Sequence, residues 1–162
     1  MLVAISAGVV GVLFGAVAKP TYQFRYNSSR SAPLGWYVIV PAHDPQLDAF
    51  VLARLPAAAA LLADERRYLP RNVPLLKRVA AIHGQLVCNT ASGLAIDGVP
   101  AARALTRDSL GRPLEAWMGC RRLADDELLL LSADNAASFD SRYFGPIHRA
   151  QAIGEAIPIW TW

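Results

Sequence analysis

The feature that most constrains the fold is an uncharged apolar run at residues 1–18, MLVAISAGVVGVLFGAVA. As a helix, this run would span about 27 Å, close to the hydrocarbon thickness of a bilayer. We therefore expect residues 1–18 to form a single transmembrane anchor and residues 19–162 to form one folded domain. A cleavable signal peptide is the alternative, because residues 16–18 (Ala-Val-Ala) resemble a cleavage site, although the usual basic region before the apolar run is missing.

The basic residues Lys19, Arg25 and Arg30 all follow the apolar run. By the positive-inside rule alone, this distribution favours a domain on the cytoplasmic side of the membrane. Charge alone does not decide the orientation, which stays open at this point.

Charge and cysteine usage exclude several classes of protein. The net charge is only +3, and the arginines are spread from Arg25 to Arg149 without a basic block, so we expect no nucleic-acid partner. Cys88 and Cys120 do not form a C-x-x-C pair, and we expect neither a metal nor a cofactor. Two cysteines in an exported domain favour a disulfide, whereas a cytoplasmic domain would favour two free thiols.

Short runs rich in β-branched and aromatic residues predict a mainly β domain with one short helix. The alanine-rich stretch from Pro56 to Tyr68 predicts that helix, and Asp97-Gly98 predicts a hairpin turn. Residues 101–116 mix Arg, Asp, Gly and Pro and predict an exposed surface loop, for which substrate contact is the alternative. The predicted strands are 35–41, 48–54, 74–82, 85–89, 94–96, 128–132 and 150–160.

Lysine is rare in this chain, since Lys19 and Lys77 are its only lysines among sixteen basic residues. Lys77 lies in the run Val73–Ile82, which is apolar enough to be a buried strand. Burial lowers the pKa of a lysine amine and makes it a usable base, whereas an arginine keeps its proton. The alternative is an amine that reaches solvent beside Arg78.

Two polar segments could supply further chemistry. Residues 27–35, NSSRSAPLG, are rich in hydroxyls and directly precede an apolar strand, but their composition is also that of an ordinary turn. Residues 138–146 hold Asp140 and Arg142, which can pair on one side of an extended chain. Taken singly, each segment has a purely structural explanation.

Taken together and in this order, the three segments resemble the type I signal peptidase clan, and within it the conjugative-transfer, TraF-like branch. Residues 31–37, SAPLGWY, are similar to the Ser-x-Pro-x-Gly-x-Tyr box of that branch. Residues 76–79, LKRV, resemble the lysine box, and residues 140–145, DSRYFG, resemble the closing box. Residues 96–100, IDGVP, resemble the clan's hairpin box, with Asp97 where Asn is usual.

The resemblance implies a signal-peptidase-like β body behind one transmembrane helix, with the catalytic domain on the periplasmic side of the inner membrane. It implies a serine endopeptidase in which Ser31 attacks the scissile carbonyl and Lys77 takes its proton. The Ser31 backbone N–H and the Ser29 hydroxyl would hold the oxyanion. Ser138 would orient the lysine amine, and Asp140 with Arg142 would support the site.

The implied substrate is the prepilin of a conjugation system, released as a linear or a cyclic product. One alternative is a general type I signal peptidase that removes leader peptides from exported proteins, and another is an inactive, membrane-tethered scaffold. A Ser-His-Asp enzyme would need His43, His83 or His148 beside the serine, and none of these histidines has supporting sequence context.

Overall fold

The computed structural model describes residues 22–162. The expected anchor at residues 1–18 lies outside the described residues and stays a prediction. Within residues 22–162, none of the helices combines the length and apolar character that a bilayer crossing requires.

Residues 22–162 are mainly β, as predicted, and all strand pairs are antiparallel. The strands are β1 Gln23–Asn27, β2 Gly35–Val40, β3 Phe50–Ala53, β4 Leu75–Ala81, β5 Leu86–Thr90, β6 Gly93–Ile96, β7 Val99–Ala102, β8 Gly119–Arg122, β9 Glu127–Leu131, β10 Ile147–His148 and β11 Ala152–Thr161. A seven-stranded sheet has the order β1-β2-β11-β3-β4-β9-β10, and a four-stranded sheet has the order β7-β6-β5-β8.

Strand β9 joins the cores of the two sheets. Leu128 and Leu130 pack with buried residues of β3 and β4, whereas Leu129 and Leu131 pack with buried residues of β5 and β6. Because successive side chains of a strand point to opposite faces, a strand between two cores must be apolar at every position. The run of four leucines follows from this placement, and burying each contributes about 2 kcal/mol.

The small sheet confirms two predictions. Asp97 and Gly98 both have positive φ, 50° and 81°, and form the turn between β6 and β7. Asp-Gly suits such a hairpin turn because both central residues must adopt left-handed backbone conformations. Cys88 of β5 lies directly opposite Cys120 of β8, and the two form a disulfide.

The main helix, α1, is shorter than predicted. It spans Ala57–Glu65, and a second helix, α2, covers only Ser141–Phe144. The predicted extension of α1 to Tyr68 is wrong because Arg67 takes a left-handed φ of 60°. In that turn the Tyr68 amide donates to the Ala63 carbonyl, which closes the helix and releases the Tyr68 side chain from the helical register.

The segment 101–116, which we call the 101–116 loop, is mostly exposed, as predicted, but its first two residues form the end of β7 and the rest is fixed to the body. The Tyr68 hydroxyl donates to Asp108 Oδ2 at 2.5 Å, and the Asp108 side chain is only 4% exposed. Arg66 Nη1 donates to the Pro113 carbonyl at 2.7 Å. The residues directly after α1 therefore supply the contacts that hold this loop to the body.

Candidate active site

A cavity of about 560 Å³ brings the three sequence segments together. Its lining includes Ser31 with the residues before it, Lys77 with the start of β4, and Ser138. The 101–116 loop closes one side through Leu105 and Leu114, so the loop that the sequence predicted as plain surface lies against the cavity. All three histidines lie within residues 22–162, and none of them lines this cavity.

Lys77 is buried in β4, as its apolar surroundings predict, and is 3% exposed. Its Nζ donates to Ser138 Oγ at 2.6 Å and to Ser132 Oγ at 3.1 Å. Burial lowers the pKa of Lys77 to about 8; the Asp140 carboxylate opposes this effect, and the Arg142 guanidinium adds to it. The alternative of an amine that reaches solvent beside Arg78 is excluded.

Ser31 is half-buried at the edge of the cavity. Its backbone carbonyl accepts a hydrogen bond from Ser132 Oγ at 2.6 Å. Within residues 22–162, no hydrogen bond joins Ser31 Oγ directly to Lys77 Nζ, and the connection between the two residues runs through the Ser132 hydroxyl.

The segment that carries Ser31 is fixed by Asn27, which sequence reasoning missed. Asn27 is 8% exposed, and its Nδ2 lies within 3.1 Å of the carbonyl oxygens of Ser29, Ala32 and Pro33. Its Oδ1 accepts from the Ser29 amide and from the Ser29 hydroxyl, at 3.1 and 2.9 Å. The Ser29 hydroxyl is thus directed at Asn27 in this structure and would have to rotate to reach an oxyanion.

Asp140 and Arg142 form a buried pair, 0% and 1% exposed. The guanidinium binds the carboxylate through two hydrogen bonds, Nε to Oδ1 at 2.8 Å and Nη2 to Oδ2 at 2.7 Å. Asp140 Oδ2 also accepts from the Ser132 amide at 3.0 Å, and Arg142 Nη2 donates to the Ser138 carbonyl at 3.1 Å. The pair therefore fixes the backbone of both serines whose hydroxyls contact Lys77.

Sequence reasoning also missed Ser132. It directly follows the four leucines of β9 and reads as the polar end of a buried strand. A hydroxyl directly after a buried apolar run was the available signal, but the contact to Ser31 spans 101 residues of sequence and needs the folded sheet.

The chain belongs to the signal peptidase family described as "Signal peptidase, peptidase S26", which matches residues 1–162. Membership in this family makes it a serine peptidase of the signal peptidase type.

Its relatives place it in the TraF-like branch of that clan. The chain is 33% identical to a plasmid transfer protein TraF of Escherichia coli over an alignment of 172 residues, which covers 98% of this chain and 96% of the relative. It is 32% identical to the conjugal transfer protein TraF of Agrobacterium fabrum (strain C58) over 166 residues, 95% of this chain and 93% of the relative. The chain is also similar to a solved signal peptidase I from Enterococcus faecalis V583, with 20% identity and a TM-score of 0.42, over 69% of this chain and 96% of that one.

Proposed function

We propose that this protein is a membrane-anchored serine endopeptidase that processes a conjugative pilin precursor through an acyl-enzyme on Ser31, with Lys77 as the base. The observation that carries the proposal is the lysine amine buried between two serine hydroxyls in the cavity that Ser31 lines. The plasmid and conjugal transfer names of the relatives support the choice of a conjugation substrate.

The electrostatics of Lys77 suit a general base. With a pKa of about 8, about a tenth of the amines are neutral at pH 7, whereas an amine at the ordinary value of 10.5 would be neutral in fewer than about one molecule in a thousand. A neutral amine can accept the Ser31 proton, and both residues line the same cavity.

The first step of the proposed reaction is acylation of Ser31. Ser31 Oγ bonds to the carbonyl carbon of the scissile peptide, its proton passes to Lys77 Nζ, and the carbonyl electrons move onto oxygen. The Ser31 amide and a rotated Ser29 hydroxyl would stabilise that oxyanion. When the intermediate collapses, the carbon–nitrogen bond breaks, the leaving amine takes the proton from Lys77, and the fragment of the precursor that carries the carbonyl is left as an ester on Ser31.

The second step determines the product. Water activated by Lys77 would hydrolyse the ester and give a linear pilin, whereas the amino terminus of the same pilin chain would give a cyclic one. Both nucleophiles lose a proton to Lys77 as they attack; the bond between Ser31 Oγ and the carbonyl carbon then breaks, and Lys77 returns the proton to Ser31 Oγ. The two products differ in mass by one water.

We also propose that residues 1–18 anchor the chain in the inner membrane and that residues 19–162 lie on its periplasmic side. The disulfide between Cys88 and Cys120 supports this orientation, because disulfides persist in the oxidising periplasm and are rare in the cytoplasm.

The test is co-expression of the candidate precursor with wild type, Ser31→Ala, Lys77→Arg or Lys19→Arg, followed by intact-mass analysis of the pilin. Lys19→Arg makes the same chemical change at the only other lysine and serves as the matched control. We expect processing by wild type and Lys19→Arg alone. Normal processing by Ser31→Ala or Lys77→Arg would refute the proposed chemistry, and processing of unrelated leader peptides by wild type would favour a general signal peptidase.

A further inference from the structure

The Ser132 hydroxyl connects the two residues of the proposed dyad. It donates to the Ser31 carbonyl at 2.6 Å and lies 3.1 Å from Lys77 Nζ, in a residue only 7% exposed. We infer that Ser132 is a positioning residue that holds the amine of Lys77 against the backbone of Ser31 and directs its lone pair toward the Ser31 hydroxyl. This inference rests on the proposed function.

The direction of the two hydrogen bonds is fixed by chemistry. A carbonyl oxygen can only accept, so the single hydrogen of the Ser132 hydroxyl must point at Ser31. That hydroxyl then has only lone pairs to offer Lys77, and the amine must donate to it. Ser132 therefore cannot compete with Ser31 for the lone pair of a neutral Lys77.

Ser138 differs from Ser132 in this respect. Within residues 22–162, Lys77 is the only hydrogen-bond partner of its hydroxyl, at 2.6 Å, so this hydroxyl can either accept from the amine or donate to it. A neutral amine has two hydrogens and one lone pair. When both hydrogens are given to Ser132 and Ser138, the lone pair takes the one remaining tetrahedral direction. Because Ser132 is tied to Ser31, that direction is fixed relative to the nucleophile.

The buried ion pair holds Ser132 in place through its backbone. Asp140 Oδ2 accepts from the Ser132 amide at 3.0 Å, and this contact does not involve the hydroxyl. Ser132→Ala therefore removes the bridge between Lys77 and Ser31 but leaves the contact to Asp140 intact. A positioning role and a structural role can be separated by this one substitution.

The first measurement follows Lys77 directly. The full-length protein is labelled with [ε-13C]lysine in detergent micelles and titrated by NMR; the chain has two lysines, and Lys77→Arg assigns their signals. A hydrogen-bond acceptor stabilises an ammonium more than an amine. We expect Ser132→Ala to lower the pKa of Lys77 by about one unit, and we expect Ser132→Thr, which keeps the hydroxyl, to restore it.

The second measurement is the rate of precursor processing at a pH where Lys77 is neutral in every variant. Loss of orientation is expected to lower kcat about 10- to 100-fold in Ser132→Ala with little change in KM, and Ser132→Thr should recover most of the rate. Ser92→Ala, in the exposed turn between β5 and β6, is the control and should match wild type.

The outcomes separate the inference from the function on which it rests. If Ser31→Ala processes the precursor normally, the proposed function fails and the inference fails with it. If Ser31→Ala is inactive but Ser132→Ala works within about twofold of wild type, only the inference fails. A slower Ser132→Ala with an unchanged Lys77 titration would assign Ser132 a structural role and would also overturn the inference.

Discussion

Replacement of Lys77 by methionine is expected to stabilise the protein near neutral pH while abolishing precursor processing. Lys77 is 3% exposed, and burial lowers its pKa from 10.5 to about 8. At about 1.4 kcal/mol per pKa unit, this difference means that the buried ammonium costs about 3 kcal/mol of folding free energy below pH 8. Methionine has a similar length and carries no charge, so the variant avoids that cost.

The stability difference between Lys77→Met and wild type should depend on pH. Between pH 8 and 10.5 the unfolded chain keeps its proton on Lys77 while the folded chain has lost it. The unfolded state binds more protons in this window, so the free energy of unfolding of the wild type rises with pH. Lys77→Met lacks the group, and its advantage over wild type should shrink by about 3 kcal/mol from pH 7 to pH 10.5.

Other contacts reduce the gain at pH 7. Ser138 loses its hydrogen-bond partner in Lys77→Met, which costs about 1 kcal/mol, so the net stabilisation should be about 2 kcal/mol. The raised pKa of Tyr37, which results from burial and is opposed by Arg78, also affects stability above pH 10, but it does so equally in both proteins and cancels in the difference.

The assay is urea unfolding of the full-length proteins in detergent, followed by the fluorescence of the four tryptophans at a series of pH values. Lys19→Met is the matched control and should keep the pH dependence of the wild type, because Lys77 is intact. A difference between wild type and Lys77→Met that stays constant from pH 7 to 10.5 would refute a buried lysine with a lowered pKa.

Three further predictions concern residues that stabilise the fold. Asp140→Asn leaves the buried guanidinium beside it without its counter-charge and should lower the free energy of unfolding by about 3–5 kcal/mol, measured by urea titration; a change below about 1 kcal/mol would contradict the buried pair. The double variant Cys88→Ala/Cys120→Ala removes a disulfide with a sequence separation of 32 and should lower the free energy of unfolding by about 3–4 kcal/mol. Thermal scans of this variant and of wild type with reductant should show the same loss of stability. Gly35→Ala should reduce the yield of folded protein, because Gly35 has a φ of +137° and a Cβ there would lie 2.1 Å from a backbone oxygen of β11; a normal melting temperature would contradict the close approach of β2 and β11.

The sequence predicted those elements whose signal lies within a few neighbouring residues. The apolar run around Lys77 indicated a buried strand, and Asp97-Gly98 indicated a hairpin, because each signal is contained in a few neighbouring residues. Strand β1 was missed because four of its five residues are exposed and only Asn27 is buried. The end of α1 was missed because the left-handed turn at Arg67 is closed by backbone contacts that side-chain composition does not encode.

The sequence predicted the three segments of the candidate site but not the hydrogen bonds between them. Ser31, Lys77 and Asp140 were identified from their boxes, and the structure gathers the three segments around one cavity. Ser132 and Asn27 act through contacts between hydroxyl, amide and carbonyl groups that only the folded chain brings together. Their residue types are common at turns and strand ends, so the position of Ser132 after an apolar run was a weak signal and did not indicate which groups it contacts.

The most direct test of the account is the pH dependence of kcat/KM for precursor processing, which reports the ionisation of essential groups in the free enzyme. With Lys77 as the base, the rate should rise about tenfold per pH unit at low pH and level off above about pH 8, where the amine is neutral. A profile that is flat from pH 6 to 10, or that levels off near pH 6.5 as a histidine base would, contradicts the assignment of Lys77.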